Sequence, residues 1–498
     1  MSINITDAIF AQAERDPDAI AVIDAKMSVN YRALCHGVRL AAQQFQNAGW
    51  KAGNIAGISL SGNPALHLVC VLALARMGIT QVSMPPRDLA PLRKARMERL
   101  GITRLIVNNR RSAAGINVTT VIPDPGWLTA PHSTAVEDIR ASGGDALWII
   151  NETSGTTATP KAIGISHAAE DIHHKRLRTA LEYLPGERFL SLVSLNFLSA
   201  LKRTIYCLSE GGTVTLPPAN FSTDQLLQWI ELHHVTFMTC VPLHLHQILH
   251  DLQGDSQCLP FMRILRCSSA TLPVSAVIDV CKRISPNVYI DYGCTEIGTA
   301  TIATPAMLEA NPGTIGRPLA GIEFEVVDDD GKLVSTGAHG HVRVRGPGVG
   351  NCYLHAPEPG QSAAFRDGWF YPGDVVVVDD DGFVFLKGRS DEVMNFDGIM
   401  VGPAEIESVL RQHPAVQEVA AFALPSRDHQ DIPAAAIVSA LPLQVDNLQR
   451  FCTALLGVRS PRIFLQFDEI PKNPMGKILR RRVTELAIQK LKKQPPSS

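Results

Sequence analysis

The sequence lacks the signatures of several common protein classes. Its 10 cysteines are scattered over 498 residues without a CxxC pair, which argues against a disulfide framework and against a zinc site. The 46 Lys and Arg residues balance 48 Asp and Glu residues, so no charge excess points to a nucleic acid partner. The longest apolar run near the front, residues 65–77, is too short to span a membrane and contains His67 and Arg76.

The first residues also lack the pattern of a signal peptide. Residues 1–18 carry Asp7, Glu14, Arg15 and Asp16, whereas a signal peptide has a basic start and an uninterrupted apolar segment. We therefore expect a cytoplasmic protein without a membrane span. With 45% hydrophobic and 19% charged residues the composition is that of a globular protein, and its length predicts at least two domains.

Strand and helix patterns alternate through the first three hundred residues, as in α/β proteins. Residues 31–48 predict a helix, residues 55–60 a strand, and residues 64–77 a second helix that ends at Gly78. From residue 313 onward, short β-rich runs separated by acidic turns predict a β-rich subdomain. A new α/β pattern begins after Gly388. We therefore predict two domains, 1–388 and 389–498.

A loop rich in hydroxyl groups and glycine follows the predicted strand at residues 147–150. Hydroxyls and backbone N–H groups in such a turn can cradle phosphate oxygens, and a lysine adds positive charge. The loop is not a Walker A motif, because the GxxxxGK[ST] spacing is absent. The candidate phosphate-binding residues are Thr153, Ser154, Gly155, Thr156, Thr157 and Lys161.

Three further segments carry side chains suited to a nucleotide. In Tyr292–Glu296 a carboxylate beside a hydroxyl could hold Mg²⁺ against a phosphate, with an aromatic ring available to stack on a base. Asp374 could accept hydrogen bonds from both ribose hydroxyls, and Arg389 could donate to ribose or phosphate. Lys477 lies in a loop rich in proline and glycine, as expected of a residue that swings into a site.

In this order and spacing, the segments resemble the adenylate-forming superfamily of acyl- and aryl-CoA synthetases, peptide-synthetase adenylation domains and beetle luciferases. The resemblance runs from about residue 10 to residue 485. It is supported by Gly313–Pro318, Val401–Glu407 and Cys267–Leu272. It implies a large N-terminal domain of stacked α/β subdomains with a β-rich subdomain, followed by a small mobile C-terminal α+β lobe.

The resemblance also implies a role for each matching residue. Loop 153–161 would clamp the β- and γ-phosphates of ATP, Tyr292 would stack on adenine, and Thr295 would contact the α-phosphate. Glu296 would hold Mg²⁺, and Lys477 would bridge the substrate carboxylate and the α-phosphate. The remaining implied positions are the adenine and acyl-adenylate pocket (Ser268, Ser269, Ala270), the ribose contacts (Asp374, Arg389), the hinge (Asp391) and the segment that serves the thiol step (Gly398).

The implied reaction has two halves. A carboxylic acid and ATP form an acyl-adenylate with release of pyrophosphate, and the acyl group then passes to a thiol, for which CoA is the favoured candidate. Two alternatives stay open: an adenylation enzyme that loads the phosphopantetheine of an acyl carrier protein, and a non-catalytic nucleotide or acyl-adenylate binder. Both thiol acceptors carry phosphopantetheine, so the motifs do not separate them.

The acid is less well specified. Phe197, Leu198 and Leu201 fall in the stretch that lines the acyl pocket of the superfamily and suggest an apolar acyl group. Leu198 stands where amino-acid-activating relatives place an Asp, so we do not expect an α-amino acid. Lys202 and Arg203 could meet a second carboxylate or a phosphopantetheine, but the favoured interpretation is a solvated helix face.

A solvated face is also the favoured interpretation of residues 173–176, His-His-Lys-Arg. Two departures from the superfamily pattern matter. Ala158 and Ala162 replace glycines in the phosphate loop and would be strained if either position needs a positive φ. Asn395 and Met400 stand where many members have Lys and Arg, although some acyl-CoA-forming relatives also have Asn.

Overall fold

The structure is a computed structural model, and the part of the chain that it describes is mixed α/β. It comprises residues 4–84, 90–109, 118–131, 139, 141–153, 161–218, 220–254, 257–268, 272–354, 364–396, 399–425, 431–473 and 476–493. Its α-helices are α1 (Asp7–Arg15), α2 (Tyr31–Asn47), α3 (Pro64–Met77), α4 (Ala90–Leu100), α5 (His167–Leu181), α6 (Leu198–Ser209), α7 (Thr223–Leu232), α8 (Pro242–Asp251), α9 (Val274–Arg283), α10 (Pro305–Ala310), α11 (Pro403–Leu410), α12 (Val445–Leu456) and α13 (Arg480–Lys493).

The first sheet has six strands and is parallel except for its last strand. The strand order is β6 (Thr119–Val121), β5 (Arg104–Val107), β3 (Ile55–Ser59), β4 (Thr80–Ser83), β7 (Leu147–Thr153) and β8 (Lys161–Ser166). Strands β7 and β8 pair antiparallel as a hairpin, with Thr153 opposite Lys161. The predicted phosphate loop therefore connects the ends of these two strands.

The second sheet has nine strands with a parallel centre and antiparallel edges. The strand order is β15 (Arg317–Pro318), β14 (Gly298–Ala303), β13 (Val288–Cys294), β12 (Ile264–Cys267), β11 (Phe237–Cys240), β9 (Arg188–Ser191), β10 (Thr213–Leu216), β1 (Ile20–Asp24) and β2 (Ser28–Asn30). One large hydrophobic cluster joins the two sheets, since it contains Ile58 and Ile106 as well as Val22 and Phe189. The sheets are therefore stacked subdomains, as predicted.

Helix α3 is apolar around almost its whole circumference, with only His67 and Arg76 as polar residues, so it belongs in the interior rather than at the surface. It starts at the Asn63 cap, whose side chain accepts a hydrogen bond from the backbone of Leu66, and ends at Gly78 in the left-handed conformation. Leu68, Val71 and most other side chains of α3 are fully buried. The predicted bounds of this helix are confirmed.

The third sheet is antiparallel and forms the predicted β-rich subdomain. Its strands are β18 (Phe365–Arg366), β19 (Trp369–Phe370), β17 (His339–Arg345), β20 (Asp374–Val378) and β21 (Val384–Arg389) in that order, with β16 (Glu323–Val327) paired to β17. The acidic turn at residues 379–382 joins β20 to β21, and the Asp379 carboxylate accepts hydrogen bonds from two backbone N–H groups.

The last hundred residues form a small α+β unit. It contains the hairpin β22 (Met394–Phe396) and β23 (Ile399–Val401), and a sheet of β24 (Glu418–Pro425), β25 (Asp431–Val438) and β26 (Ile463–Gln466). Helices α11 and α12 cover one face of this sheet and α13 covers the other. Strand β21 runs to Arg389, so the predicted division after Gly388 falls at its penultimate residue, and that division remains a prediction.

No helix of the described ranges is both long and apolar enough to traverse a bilayer.

Two leucines provide a test of how the nine-stranded sheet is stabilised. Leu265 of β12 is 0% exposed, whereas Leu232 at the end of α7 is 71% exposed. We expect Leu265→Ala to lower the free energy of unfolding by about 3 kcal/mol, because the cavity adds to the lost burial. Leu232→Ala, the matched control, should change it by less than about 0.5 kcal/mol. Urea denaturation measures both, and equal effects would contradict the packing described.

Candidate functional site

The hairpin of β13 and β14 is the centre of the predicted site. Its turn places Thr295 and Glu296 between the two strands, directly after Cys294, the last residue of β13. Gly293 is required here, because a Cβ at this position would lie 1.9 Å from the carbonyl oxygen of Gly298. The close approach of the two strands therefore explains the glycine in this segment.

Two side chains outside the predicted motifs hold the turn. The Asn151 amide donates a hydrogen bond of 3.1 Å to the Thr295 hydroxyl. The Tyr353 hydroxyl donates one of 2.9 Å to the carboxylate of Glu296, which is almost fully buried. Asn151 lies on β7, so this bond places the end of the phosphate-loop hairpin beside Thr295.

Lys161 lies at the same place. As the first residue of β8 it is half-buried, and its Nζ lies 5.1 Å from the centre of the Tyr353 ring. Tyr353 therefore contacts both Lys161 and Glu296, two residues predicted to serve the phosphates and Mg²⁺. The backbone of Thr153 ends β7 directly opposite.

Parts of the predicted site lie outside the described residues. These are Ser154, Gly155, Thr156, Thr157 and Ala158 of the phosphate loop, Ser269 and Ala270 of the predicted adenine pocket, and Gly398. Ser268 is described and is buried directly after β12. Ala162 is a buried β8 residue, and it is not among the described residues with positive φ, so the strain considered at this position is not found.

Asp374 forms the second predicted cluster. Its carboxylate accepts a hydrogen bond of 2.6 Å from the Tyr292 hydroxyl and one of 3.3 Å from Nη1 of Arg389. Burial raises the pKa of the Asp374 carboxyl above its ordinary value, while Arg389, Tyr292 and the positive charge of Lys477 partly offset that rise. Asp391 lies next to this cluster, 3.6 Å from Nε of Arg389.

Lys477 occupies a tight turn. The Asn473 side chain accepts a hydrogen bond from the backbone N–H of Lys477, and Gly476 has a φ of 76°. A Cβ on Gly476 would lie only 3.2 Å from Cβ of Leu243 on α8, so the turn contacts the large domain. The Lys477 side chain is exposed, and its charge acts on Asp374. The structure therefore brings this distant loop to the nucleotide cluster.

Two of the three predicted acyl-pocket residues share a small cavity. Leu198 and Leu201, in the first turns of α6, line it together with Asn151 and several polar side chains that include His67 and Gln81. Phe197 precedes α6 and is exposed. Since Asn151 also binds Thr295, this cavity adjoins the turn of the β13–β14 hairpin.

The prediction that Lys202 and Arg203 form a solvated helix face is wrong. Both are about 5% exposed, because α5 and the β13–β14 hairpin contact the part of α6 that carries them. Lys202 lies 2.9 Å from the Glu170 carboxylate, and Nη2 of Arg203 donates a hydrogen bond of 3.1 Å to Thr299. The helical sequence pattern alone does not show that both sides of α6 are covered.

The prediction of a solvated face at residues 173–176 is wrong for His173, although Lys175 is exposed. His173 lies 2.8 Å from the carbonyl oxygen of Gly348 through Nε2 and 3.0 Å from Lys202 through Nδ1. Burial and the neighbouring Lys202 lower the pKa of His173, so the neutral ring donates to Gly348 and accepts from Lys202.

Comparison with known proteins places this architecture in a family. The sequence model of the AMP-binding enzyme family matches residues 9–354, and that of the AMP-binding enzyme C-terminal domain matches residues 405–477. The chain belongs to the AMP-binding enzymes, which confirms the resemblance to the adenylate-forming superfamily.

Particular relatives are similar over about three quarters of the chain or more. The 2-succinylbenzoate–CoA ligase of Bacillus velezensis is 27% identical over 483 residues, 96% of this chain and 97% of the relative. The indoleacetate–CoA ligase of Aromatoleum aromaticum is 29% identical over 384 residues, 74% of each chain. The structure of o-succinylbenzoate coenzyme A synthetase from Bacillus subtilis in complex with AMP has a TM-score of 0.83, 25% identity, and coverage of 96% of this chain and 98% of that one.

The close approach at Gly293 generates a testable prediction. Gly293→Ala should destabilise the protein by about 3 kcal/mol or more, because the new Cβ would overlap the Gly298 carbonyl. Gly382→Ala is the control, since a Cβ there meets no described atom within 4 Å and only the φ of 79° is unfavourable. That control should cost about 1 kcal/mol. Thermal unfolding distinguishes the two, and similar losses would show that backbone conformation alone matters.

Proposed function

We propose that this chain is an ATP-dependent acid–CoA ligase. It joins a carboxylic acid to AMP with release of pyrophosphate, and then transfers the acyl group to the thiol of CoA. The observation that carries the proposal is the convergence of Thr295, Glu296, Asp374 and Lys477, from separate parts of the chain, around one hairpin turn.

Charge explains why the adenylation half-reaction needs these residues. The substrate carboxylate and the α-phosphate are both anionic, and the transition state spreads charge over phosphate oxygens. Lys477 supplies a cation at this point, and the hydroxyl of Thr295 donates to the α-phosphate. Lys161 adds charge near the β- and γ-phosphates. No side-chain nucleophile is required, because the carboxylate itself attacks.

Glu296 is suited to Mg²⁺. This ion is commonly held by one or two carboxylates together with substrate phosphates, and Glu296 is a buried carboxylate oriented by the Tyr353 hydroxyl. When bound, Mg²⁺ would offset phosphate charge. Asp374 accepts the ribose hydroxyls, Arg389 donates beside it, and Tyr292 contributes an aromatic ring for adenine.

For the second half-reaction we infer that the small lobe rotates about Asp391. This movement withdraws Lys477 and brings the segment around Gly398 to the acyl-adenylate. Support for an aromatic acid comes from the apolar side chains of Leu198 and Leu201 and from relatives named for 2-succinylbenzoate and indoleacetate, both of which contain an aromatic ring.

The decisive experiment is a panel of aromatic and aliphatic acids with ATP. Pyrophosphate release without thiol reports adenylation, and AMP release after addition of CoA reports thioester formation. A carrier protein with phosphopantetheine replaces CoA in a parallel arm, and faster turnover there would favour carrier loading. Nucleotide binding without pyrophosphate release from any acid would identify a non-catalytic binder.

Lys477→Ala separates the half-reactions. It should slow adenylate formation by a factor of about 100 or more, because the meeting anions lose their cation. Transfer from a supplied acyl-adenylate to CoA should persist. Lys472→Ala is the control, since Lys472 lies in the same loop but pairs with Glu418. Pre-steady-state pyrophosphate release measures the first step, and equal loss of both steps in Lys477→Ala would refute its assigned role.

Asp374→Ala tests the ribose site. It should weaken ATP and AMP alike by about 3 kcal/mol, or roughly a hundredfold, because two hydrogen bonds to a charged acceptor disappear. Asp380→Ala, in the exposed turn after β20, is the matched control and should bind both nucleotides normally. Calorimetry gives the affinities. Unchanged nucleotide binding in Asp374→Ala would exclude a ribose contact.

A further inference from the structure

A group of buried charges lies beneath α6 and serves no step of the reaction described above. Its cations are Lys202 and Arg203 of α6 and Arg266 of β12, all about 5% exposed or less. The carboxylates that face them are Glu170 and Asp291, so three cations meet two anions. Burying an uncompensated charge is costly, which makes this imbalance a feature to be explained.

The excess charge is localised on Arg203. Lys202 is paired with Glu170 at 2.9 Å, and Arg266 contacts the carboxylate of Asp291. The Arg203 guanidinium has a hydroxyl partner, Thr299, and lies 5.0 Å from the centre of the Tyr206 ring. Among the described residues it forms no ion pair.

Hydrogen-bond donors also exceed acceptors in this group. Four donor groups are buried and have no hydrogen-bond partner in the described part of the chain. They are Nε of Arg203, Nε and Nη1 of Arg266, and the hydroxyl of Thr239. Two acceptor oxygens are left over beside them, Oδ1 of Asp291 and Oε2 of Glu170, and the second lies 2.9 Å from Nζ of Lys202. A ligand that completes the group must therefore bring acceptors and negative charge.

The group includes a residue that lies close in sequence to the predicted acyl-adenylate pocket. Arg266 is opposite Thr239 in the neighbouring strand, and both lie near the carboxyl ends of parallel strands, where α/β sheets bind ligands. Ser268, predicted to line the acyl-adenylate pocket, follows Arg266 by two residues. Side chains two apart on an extended chain share a face and lie about 7 Å apart. An acyl chain that passes Ser268 thus points toward the guanidinium groups.

We propose that Arg203 and Arg266 bind a second carboxylate of the substrate, so that the preferred acid is a dicarboxylic acid. A carboxylate has two coplanar acceptor oxygens, which match the N–H pairs of a guanidinium, and its charge balances the excess cation. A neutral hydroxyl or amine would leave that charge unbalanced. The proposal rests on the ligase function above and specifies its substrate class.

The test compares acids that differ only at the far end. Terephthalate is paired with 4-methylbenzoate, and adipate with hexanoate. For each pair, kcat/KM of pyrophosphate release gives a ratio of dicarboxylate to monocarboxylate. We expect the unmodified enzyme to favour the dicarboxylate at least tenfold in one pair. Arg203→Met should lower that ratio about a hundredfold, mainly through a higher KM for the dicarboxylate.

Arg263→Met is the matched control. Arg263 precedes the opposite end of β12 and pairs with Glu187, so its loss should leave the ratio unchanged. Arg203→Lys keeps the buried charge without the planar guanidinium and should lower the ratio about tenfold. Arg203→Lys supplies the same readout if Arg203→Met does not fold. Binding of AMP, measured by calorimetry, shows whether each variant is folded.

The outcomes separate this inference from the ligase function. Preference for the monocarboxylate in both pairs, or a ratio that neither Arg203 variant changes, overturns the second carboxylate site. Turnover of monocarboxylic acids alone also overturns it and leaves the ligase function intact. Release of pyrophosphate from no acid of the wider panel refutes the ligase function itself.

Discussion

The hydrogen bond from the Tyr292 hydroxyl to the Asp374 carboxylate connects the two sheets on which the rest of the site depends. Tyr292 lies on β13 of the nine-stranded sheet, and Asp374 begins β20 of the antiparallel sheet. Burial between these sheets raises the pKa of the Asp374 carboxyl, and the hydrogen bonds and charge from Arg389 and Tyr292 partly offset that rise. Because Arg389 ends β21 two residues before Asp391, the same interaction fixes the chain where the small lobe begins. The hydrogen bonds of Asp374 thus depend on how the two sheets pack against each other.

Strand β13 serves two polar clusters because successive side chains on a strand point to opposite faces. Tyr292 faces Asp374, while the preceding Asp291 contacts Arg266 on the other side. The close approach of Gly293 to Gly298 holds the two strands together where the chain turns, and this turn carries Thr295 and Glu296. A nucleotide on one face and an acyl group on the other would meet at this turn. On the function proposed above, this short segment would set the relative position of both substrates.

Local patterns in the sequence predict much of this arrangement. The apolar helix at residues 64–77 with its terminal glycine, and the acidic turns of the antiparallel sheet, have local causes and were predicted correctly. The partners of Thr295 and Glu296 were missed, because Asn151 is 144 residues from Thr295 and Tyr353 is 57 residues from Glu296. The burial of Arg203 was missed for a related reason. Amphipathic periodicity shows one apolar face of a helix, but it does not show that other elements cover the polar face as well.

Among the described residues, the Lys477 turn contacts the large domain where Gly476 lies against Leu243, and the exposed lysine beside it suits the role proposed for it in only one half-reaction. Gly476 approaches Leu243 closely because it has no side chain, and its φ of 76° favours glycine. Lys477 itself stays exposed and acts on Asp374 through its charge rather than through a buried ion pair. Separation of this turn from α8 therefore does not have to break a buried ion pair of Lys477. A deeper ion pair would hold the lysine more firmly, but it would also resist the withdrawal that thiol attack requires.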